Sequence, residues 1–247
     1  MTRPSDPSGP DGIRAVTFDF WNTLVAEGIS TDHRSERWRV ALRDAGHDVP
    51  QEVLERAMTD LWSWFTGRWE GNEVVTPEDS ARRALDLMGV PPSASLLDAM
   101  VATLHEGYDP EQVRTASGIG DALEGLRAAG IRVGIICDVG LTPSVTLRRY
   151  LDHHGLFGHF DAWSFSDEVG CYKPDPRIFA HASEVLGVTE PSAMAHIGDL
   201  RRTDVAGANA AGWTSIRYTG FFDDQIELPD ADLVVADHRG VLAALGR

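Results

Sequence analysis

Apolar residues along this chain follow two rhythms, and the change of rhythm divides it. Residues 13–18 form a short, mostly apolar run that ends at Asp19, the mark of a buried strand. From about residue 26 to 109 apolar positions recur at helical spacing, in windows 34–45, 52–65, 77–88 and 94–106. Breakers separate these windows: Gly46 with Pro50, the stretch 67–71 with its two glycines, and Gly89-Val90-Pro91-Pro92. Four helices with no strand between them predict a small bundle.

From residue 116 onward strands and helices alternate. The pattern predicts a helix over 119–129, a strand over 132–137, a helix over 143–153 and a strand over 162–165. A helix over 176–186, a strand over 193–197, a helix over 203–211 and strands over 214–218 and 233–236 complete it. Strands separated by helices predict right-handed βαβ units and a parallel sheet covered on both faces. Continuous apolar runs such as Val133-Gly134-Ile135-Ile136 suit its central strands.

The predicted fold class is therefore α/β: a Rossmann-like parallel sheet with helices on both faces, plus an inserted four-helix domain. The sheet domain takes residues 11–25 and 112–247, the insert takes 26–111, and residues 1–10 read as a disordered polar tail. The first strand belongs at the centre, because ligands of such sheets bind at carboxyl ends where strand order reverses. A chain of 247 residues can bury the core this plan needs.

Composition narrows the partners. The formal net charge is −16, and no basic stripe offsets it, so nucleic acid is an unsuitable partner. No apolar run approaches the roughly 20 residues of a membrane span, and the polar N-terminus lacks a signal peptide's apolar stretch. The expected location is cytoplasmic. Two cysteines, Cys137 and Cys171, are too few for a disulfide framework and match no zinc spacing. Of 22 basic residues all but Lys173 are arginine, which draws attention to that one position.

Three segments carry candidate chemistry. In Phe18-Asp19-Phe20-Trp21-Asn22-Thr23-Leu24 a carboxylate directly follows a buried strand, Asn22 tolerates the left-handed backbone of a tight turn, and the Thr23 hydroxyl can tie that turn. In His196-Ile197-Gly198-Asp199-Leu200-Arg201-Arg202-Thr203-Asp204 a second carboxylate, Asp199, leaves a strand, and Asp204 follows at the next helix start. Alone, Asp204 serves equally as a helix N-terminal stabiliser or as a ligand. Asp19 and Asp199 would repel each other unless a cation lay between them, and hard oxygen donors suit Mg²⁺. In Cys171-Tyr172-Lys173-Pro174-Asp175-Pro176 two prolines stiffen the loop that presents the lone lysine. There it would neutralise Asp19 and balance an incoming phosphoryl group.

Taken together, these segments resemble the haloacid dehalogenase superfamily: a nucleophile turn at Asp19, a lysine loop at Lys173 and a G-D-x-x-x-x-D turn from Gly198 to Asp204. The four-helix insert is similar to the family's cap of the subclass inserted after the first motif. The resemblance implies attack on phosphorus by Asp19, an aspartyl-phosphate, and its hydrolysis by water. It further implies Mg²⁺ held by Asp19, the main-chain carbonyl of Trp21 and Asp199, with Asp204 as a further ligand or support.

Two positions depart from that pattern. Family phosphatases carry an Asp two residues after the nucleophile, where this chain has Trp21, and an indole N–H does not exchange a proton near neutrality. General acid–base help is worth about 10²–10⁴ in rate, so a leaving group needing little protonation, such as an acyl or enol phosphate, is expected. At the second strand end Cys137 stands where Ser or Thr is usual, a weaker donor. Asp138 follows it, facing either a cationic part of the substrate or the loop backbone, and the second is favoured. Of the insert's aromatics Trp69 is the one expected to face substrate, so Thr23, Cys137, Asp138 and Trp69 make up the predicted substrate contacts. The leading expectation is a Mg²⁺-dependent phosphatase or phosphotransferase acting on a small phosphorylated metabolite. The alternatives are a metal-free 2-haloacid dehalogenase and a non-catalytic binding protein of the same fold.

Overall fold

The computed structural model describes residues 12–27 and 33–246, so the predicted tail over 1–10 lies outside the described residues. Six strands form one sheet in the order β5-β4-β1-β6-β7-β8: β1 Ala15–Phe18, β4 Arg132–Cys137, β5 Ala162–Phe165, β6 Met194–Gly198, β7 Thr214–Tyr218 and β8 Leu233–Val235. Every pairing is parallel, and β1 lies between β4 and β6. Phe18 pairs in register with Ile135 on one side and Ile197 on the other. Three carboxyl ends therefore lie side by side, and Asp19, Asp138 and Asp199 leave the sheet there. The Asp19 N–H continues the ladder to the Ile197 carbonyl at 2.7 Å.

Alternation along the strands divides the core between two faces. Val16, Phe18, Val133 and Ile135 pack on one face with residues of helices α5 (Ile119–Ala128) and α6 (Ser144–His153). Ala15 and Ile136 pack on the other with α8 (Pro176–Leu186) and α9 (Ala206–Ala210). The short helices α7 (Ser166–Val169) and α10 (Val241–Ala244) complete the layers. This is the α/β, Rossmann-like sheet that the periodicity predicts.

The insert contains α1 (His33–Asp44), α2 (Gln51–Glu70), α3 (Pro77–Met88) and α4 (Ala94–Glu106). Their apolar stripes form a separate core around Trp38, Leu54, Leu61, Leu85 and Met100. The buried Trp38 indole satisfies its N–H on the Met100 carbonyl at 3.1 Å. Helix α3 starts at a reciprocal capping box between Thr76 and Asp79 and ends at a left-handed Gly89.

Three features depart from the sequence expectation. Helix α2 runs through Gly67 to Glu70 instead of stopping at residue 65. A mid-helix glycine costs only about 1 kcal/mol, and Phe65 and Trp69 pack together with Val75 and Tyr172 once the helix continues. Strands β2 (Val25–Glu27) and β3 (Val113–Thr115) pair antiparallel where the chain leaves the sheet and where it returns. Three-residue strands are too short to display a period. After β6 the chain makes a π-helical turn over Arg201–Val205 before α9, because the Asp204 carboxylate folds back onto the Leu200 N–H at 3.0 Å. No described helix is long and apolar enough to cross a membrane.

Candidate active site

Asp19 directly follows β1 and is 7% exposed. The turn after it is tight: Asn22 takes a left-handed φ of 56°, and its N–H meets the Val25 carbonyl at 2.7 Å. The turn's other backbone bonds go to Phe20, and none of these uses the Trp21 carbonyl. Burial raises the Asp19 carboxyl to about 7, against the pull of the Lys173 charge and with help from Asp204.

Lys173 reaches the same point from the loop after α7. Its ammonium lies 2.5 Å from Asp19 Oδ1, 2.6 Å from Asp204 Oδ1 and 3.2 Å from the Ile136 carbonyl. Burial alone would pull its pKa down, but the carboxylates of Asp19 and Asp204 prevail and hold the cation well above the usual lysine value. Burial likewise opposes the Asp204 charge. Lys173 and His196 outweigh it and keep that carboxyl below the usual carboxylate range. Gly198 is required beside them, since a Cβ there would collide with the Asp204 side chain.

Asp199 is the contrast. It is 3% exposed, its Oδ2 has no hydrogen-bond partner among the described residues, and burial followed by the charges of Asp19 and Asp204 drives its pKa well above normal. Oxygens of Asp19, Asp199 and Asp204 lie within 4.8 Å of one another. A buried, unpartnered carboxylate oxygen is costly unless something positive meets it, and three hard oxygen donors fit a small divalent cation. Asp204 spends both oxygens, Oδ1 on Lys173 and His196 and Oδ2 on the Leu200 N–H, whereas Lys173 takes only Oδ1 of Asp19, so Asp19 and Asp199 have the freer oxygens.

The model of the haloacid dehalogenase-like hydrolase family matches residues 13–212, the span that carries all four of these residues. The chain belongs to that family. It is a hydrolase. A glyceraldehyde 3-phosphate phosphatase of Methanothermobacter thermautotrophicus is 30% identical over 232 residues, 91% of this chain and 96% of the relative. An (S)-2-haloacid dehalogenase of a Pseudomonas species is 28% identical over 218 residues, 84% of this chain and 85% of the relative. The fold of the magnesium-bound HAD-hydrolase YfnB from Bacillus subtilis superposes with a TM-score of 0.67 at 17% identity, covering 96% of this chain and all of that one.

Around the motifs of this HAD hydrolase lies a cavity of about 620 Å³ between sheet and insert. Asp19, Trp21, Asp138, Lys173, Asp199 and Asp204 line its floor. Trp62, Phe65, Trp69, Tyr108 and Phe221 give it aromatic walls. Asp138 both bonds the loop backbone, as its place in sequence suggested, and faces the cavity: Oδ1 accepts from the Lys173 N–H at 2.7 Å. Its Oδ2 accepts from the Trp69 indole at 2.8 Å, so Trp69 lines the cavity with its N–H already engaged.

Two predicted substrate contacts, Thr23 and Cys137, do not line the cavity. Thr23 is wholly buried; its hydroxyl has no partner among the described residues, and its carbonyl accepts from His238 Nε2 at 2.8 Å. The left-handed turn at Asn22 directs this side chain into the core. Cys137 is 1% exposed and packs into the sheet's apolar face, where burial, then the charge of Asp19, pushes its thiol well above the usual value.

Sequence reasoning missed several residues. His196 holds Asp204 from below, with Nε2 at 3.0 Å from Oδ1 and Nδ1 at 2.8 Å from the Thr17 hydroxyl. Burial keeps the ring neutral, so the tautomer with the proton on Nε2 satisfies both neighbours. A buried strand position two residues before Gly198 was the one signal available. Arg34 and Arg114 reach the cavity wall with no motif to announce them; their guanidinium carbons lie 5.5 Å over the Tyr108 ring and 5.6 Å over Phe221.

Proposed function

We propose that this HAD hydrolase is a Mg²⁺-dependent phosphatase acting in the cytoplasm on a small phosphorylated metabolite. The observation that carries the reading is the unpartnered Asp199 oxygen beside an Asp19–Lys173 ion pair at the floor of a cavity. A phosphatase among the full-length relatives supports it.

Asp19 would attack phosphorus with its carboxylate, forming an aspartyl-phosphate that water then hydrolyses. Lys173 holds Oδ1 and leaves Oδ2 to act as the nucleophile. The same ammonium balances negative charge gathering on the phosphoryl oxygens, in a site where water screening is weak. Asp19, Asp199 and the Trp21 main-chain carbonyl would hold Mg²⁺, with Asp204 in support. When bound, the ion would offset the charges of the carboxylates and the phosphoryl group. Burial raises the Asp19 pKa to about 7 and so works against its ionised form, which a cation beside it would favour. Trp21 lines the cavity but brings no proton to a leaving oxygen.

A second reading is hydrolysis of 2-haloacids, favoured by the aromatic Trp21 after the nucleophile and by a dehalogenase among the relatives. There Asp19 attacks carbon and no metal is needed. Asp199 and Asp204 weigh against it. The two separate in one assay: p-nitrophenyl phosphate should be hydrolysed with Mg²⁺ and not with EDTA. Chloride release from 2-chloropropionate, with p-nitrophenyl phosphate untouched, would reverse the choice.

A further inference from the structure

Four carboxyls lie at the cavity floor, and three have work assigned: Asp19 attacks, Asp199 offers its open oxygen to a cation, and Asp204 is tied to Lys173 and His196. The fourth, Asp138, is unassigned. It stands at the end of β4, next to β1, and its negative charge is felt by the Asp19 carboxyl. Two N–H groups fix its orientation, from the Lys173 backbone at 2.7 Å and the Trp69 indole at 2.8 Å. The Arg202 guanidinium stacks 3.9 Å over the Trp69 ring and holds the indole in place. Each Asp138 oxygen accepts one of these bonds and keeps a second lone pair, so the carboxyl can carry a proton without losing its support.

We propose that Asp138 is the general acid and base of this enzyme, doing from the end of β4 what Trp21 cannot do from the end of β1. The inference rests on the phosphatase reading. In the first step Asp19 attacks phosphorus, the bond to the leaving oxygen breaks, and the Asp138 carboxyl gives that oxygen its proton, releasing an alcohol. In the second step the Asp138 carboxylate takes a proton from water as the water oxygen attacks the aspartyl-phosphate. The bond to Asp19 breaks, inorganic phosphate leaves, and both carboxyls return to their starting states with one water consumed.

Its charge environment fits a group that must do both. Burial raises the Asp138 carboxyl to about 6, opposed by the Lys173 charge and by the Lys173 and Trp69 N–H donors, and aided by Asp204. Asp19 adds a further negative charge across the cavity, and Arg202 a positive one behind Trp69. Acid and base forms are thus both populated close to neutrality, where general catalysis is most effective.

The test compares aryl phosphates of similar shape and different leaving group, p-nitrophenyl and phenyl phosphate, with Mg²⁺. The burst of phenol release reports the first step alone. Asp138→Asn should slow that burst by about 10²–10⁴-fold for phenyl phosphate, and far less for p-nitrophenyl phosphate, whose leaving oxygen needs little protonation. Equal losses on both would overturn the proposal and make Asp138 a positioning residue for Lys173. Trp69→Phe gives an independent readout with the carboxyl intact. Removing a donor to the carboxylate favours its neutral form, so the basic limb of the burst-rate profile should move to higher pH, and an unmoved limb overturns the proposal. A wild-type enzyme inert on both substrates would remove the phosphatase reading and this inference with it. Turnover with equal losses removes the inference alone.

Discussion

The Nζ of Lys173 lies 2.5 Å from Oδ1 of Asp19, across 154 residues of sequence. Both side chains are nearly sealed from solvent, and Asp204 closes the group from the other side of the ammonium. Removing the cation leaves two buried carboxyls facing each other. Lys173→Met should therefore cost the metal-free protein about 3–5 kcal/mol in urea denaturation. Added Mg²⁺ should recover part of that loss by binding the folded state. A cost below about 1 kcal/mol would contradict the charge balance described here.

Asp199 has the opposite problem, an oxygen with nothing to meet it. If a cation fills that need, calorimetric titration of the wild type with Mg²⁺ should show one site. Asp199→Asn should weaken it by about tenfold or more, that is, by about 1.4 kcal/mol at least. Because burial and the neighbouring carboxylates raise the Asp199 pKa, and burial raises that of Asp19 to about 7, Mg²⁺ would compete with protons for these oxygens. Its affinity should rise with pH across the neutral range, and a pH-independent affinity would count against Asp199 as a ligand.

His238 supplies an acid-sensitive element away from the chemistry. Its ring is stacked on Tyr218, with centroids 4.2 Å apart and planes 6° apart, and its Nε2 meets the Thr23 carbonyl at 2.8 Å. Burial lowers its pKa from 6.5 to about 4. Between those values the unfolded chain binds a proton that the folded chain refuses, so this contribution is complete above 6.5 and disappears as pH falls to about 4. The shift is worth about 3 kcal/mol over that window. His238→Gln keeps a donor for Thr23 but cannot titrate, and its stability should fall less steeply between pH 6.5 and 4. Parallel curves for the two proteins would exclude the histidine.

Trp21 packs edge-on against Phe20 at 5.2 Å and Tyr150 at 6.1 Å while lining the cavity. Trp21→Asp puts a second proton carrier at the floor. Steady-state hydrolysis of an alkyl phosphate should rise, and in an Asp138→Asn background the same change should restore part of the lost rate. An unchanged rate in that background, with Mg²⁺ still bound, would mean that leaving-group protonation is not limiting.

Much of this site was legible in sequence because its chemistry sits at strand ends. A short apolar run closing on Asp19, another closing on Gly198-Asp199, and a lone lysine followed by two prolines give positions that a parallel sheet must bring together. Long helices such as α3 were equally legible, with a capping box at one end and Gly89 at the other. What failed depended on tertiary contacts. Nothing in the order of residues shows that Thr23 and Cys137 turn into the core, since one turn and one strand register decide it. The β2–β3 ribbon is three residues a side, below the length at which alternation can be read. Arg34, Arg114 and Phe221 meet at the cavity from segments far apart in the chain, and His196 acquires its role only once Asp204 folds back beneath the sheet end.

If Asp19 is the nucleophile, turnover stopped in acid must trap phosphate on its side chain. Wild-type protein mixed with Mg²⁺ and p-nitrophenyl phosphate, quenched in acid and mapped by peptide mass spectrometry, should carry phosphate on the peptide containing Asp19. Asp19→Asn should show neither the adduct nor turnover. Continued hydrolysis by Asp19→Asn, or wild-type turnover with the adduct on another residue, would mean that Asp19 is not the nucleophile.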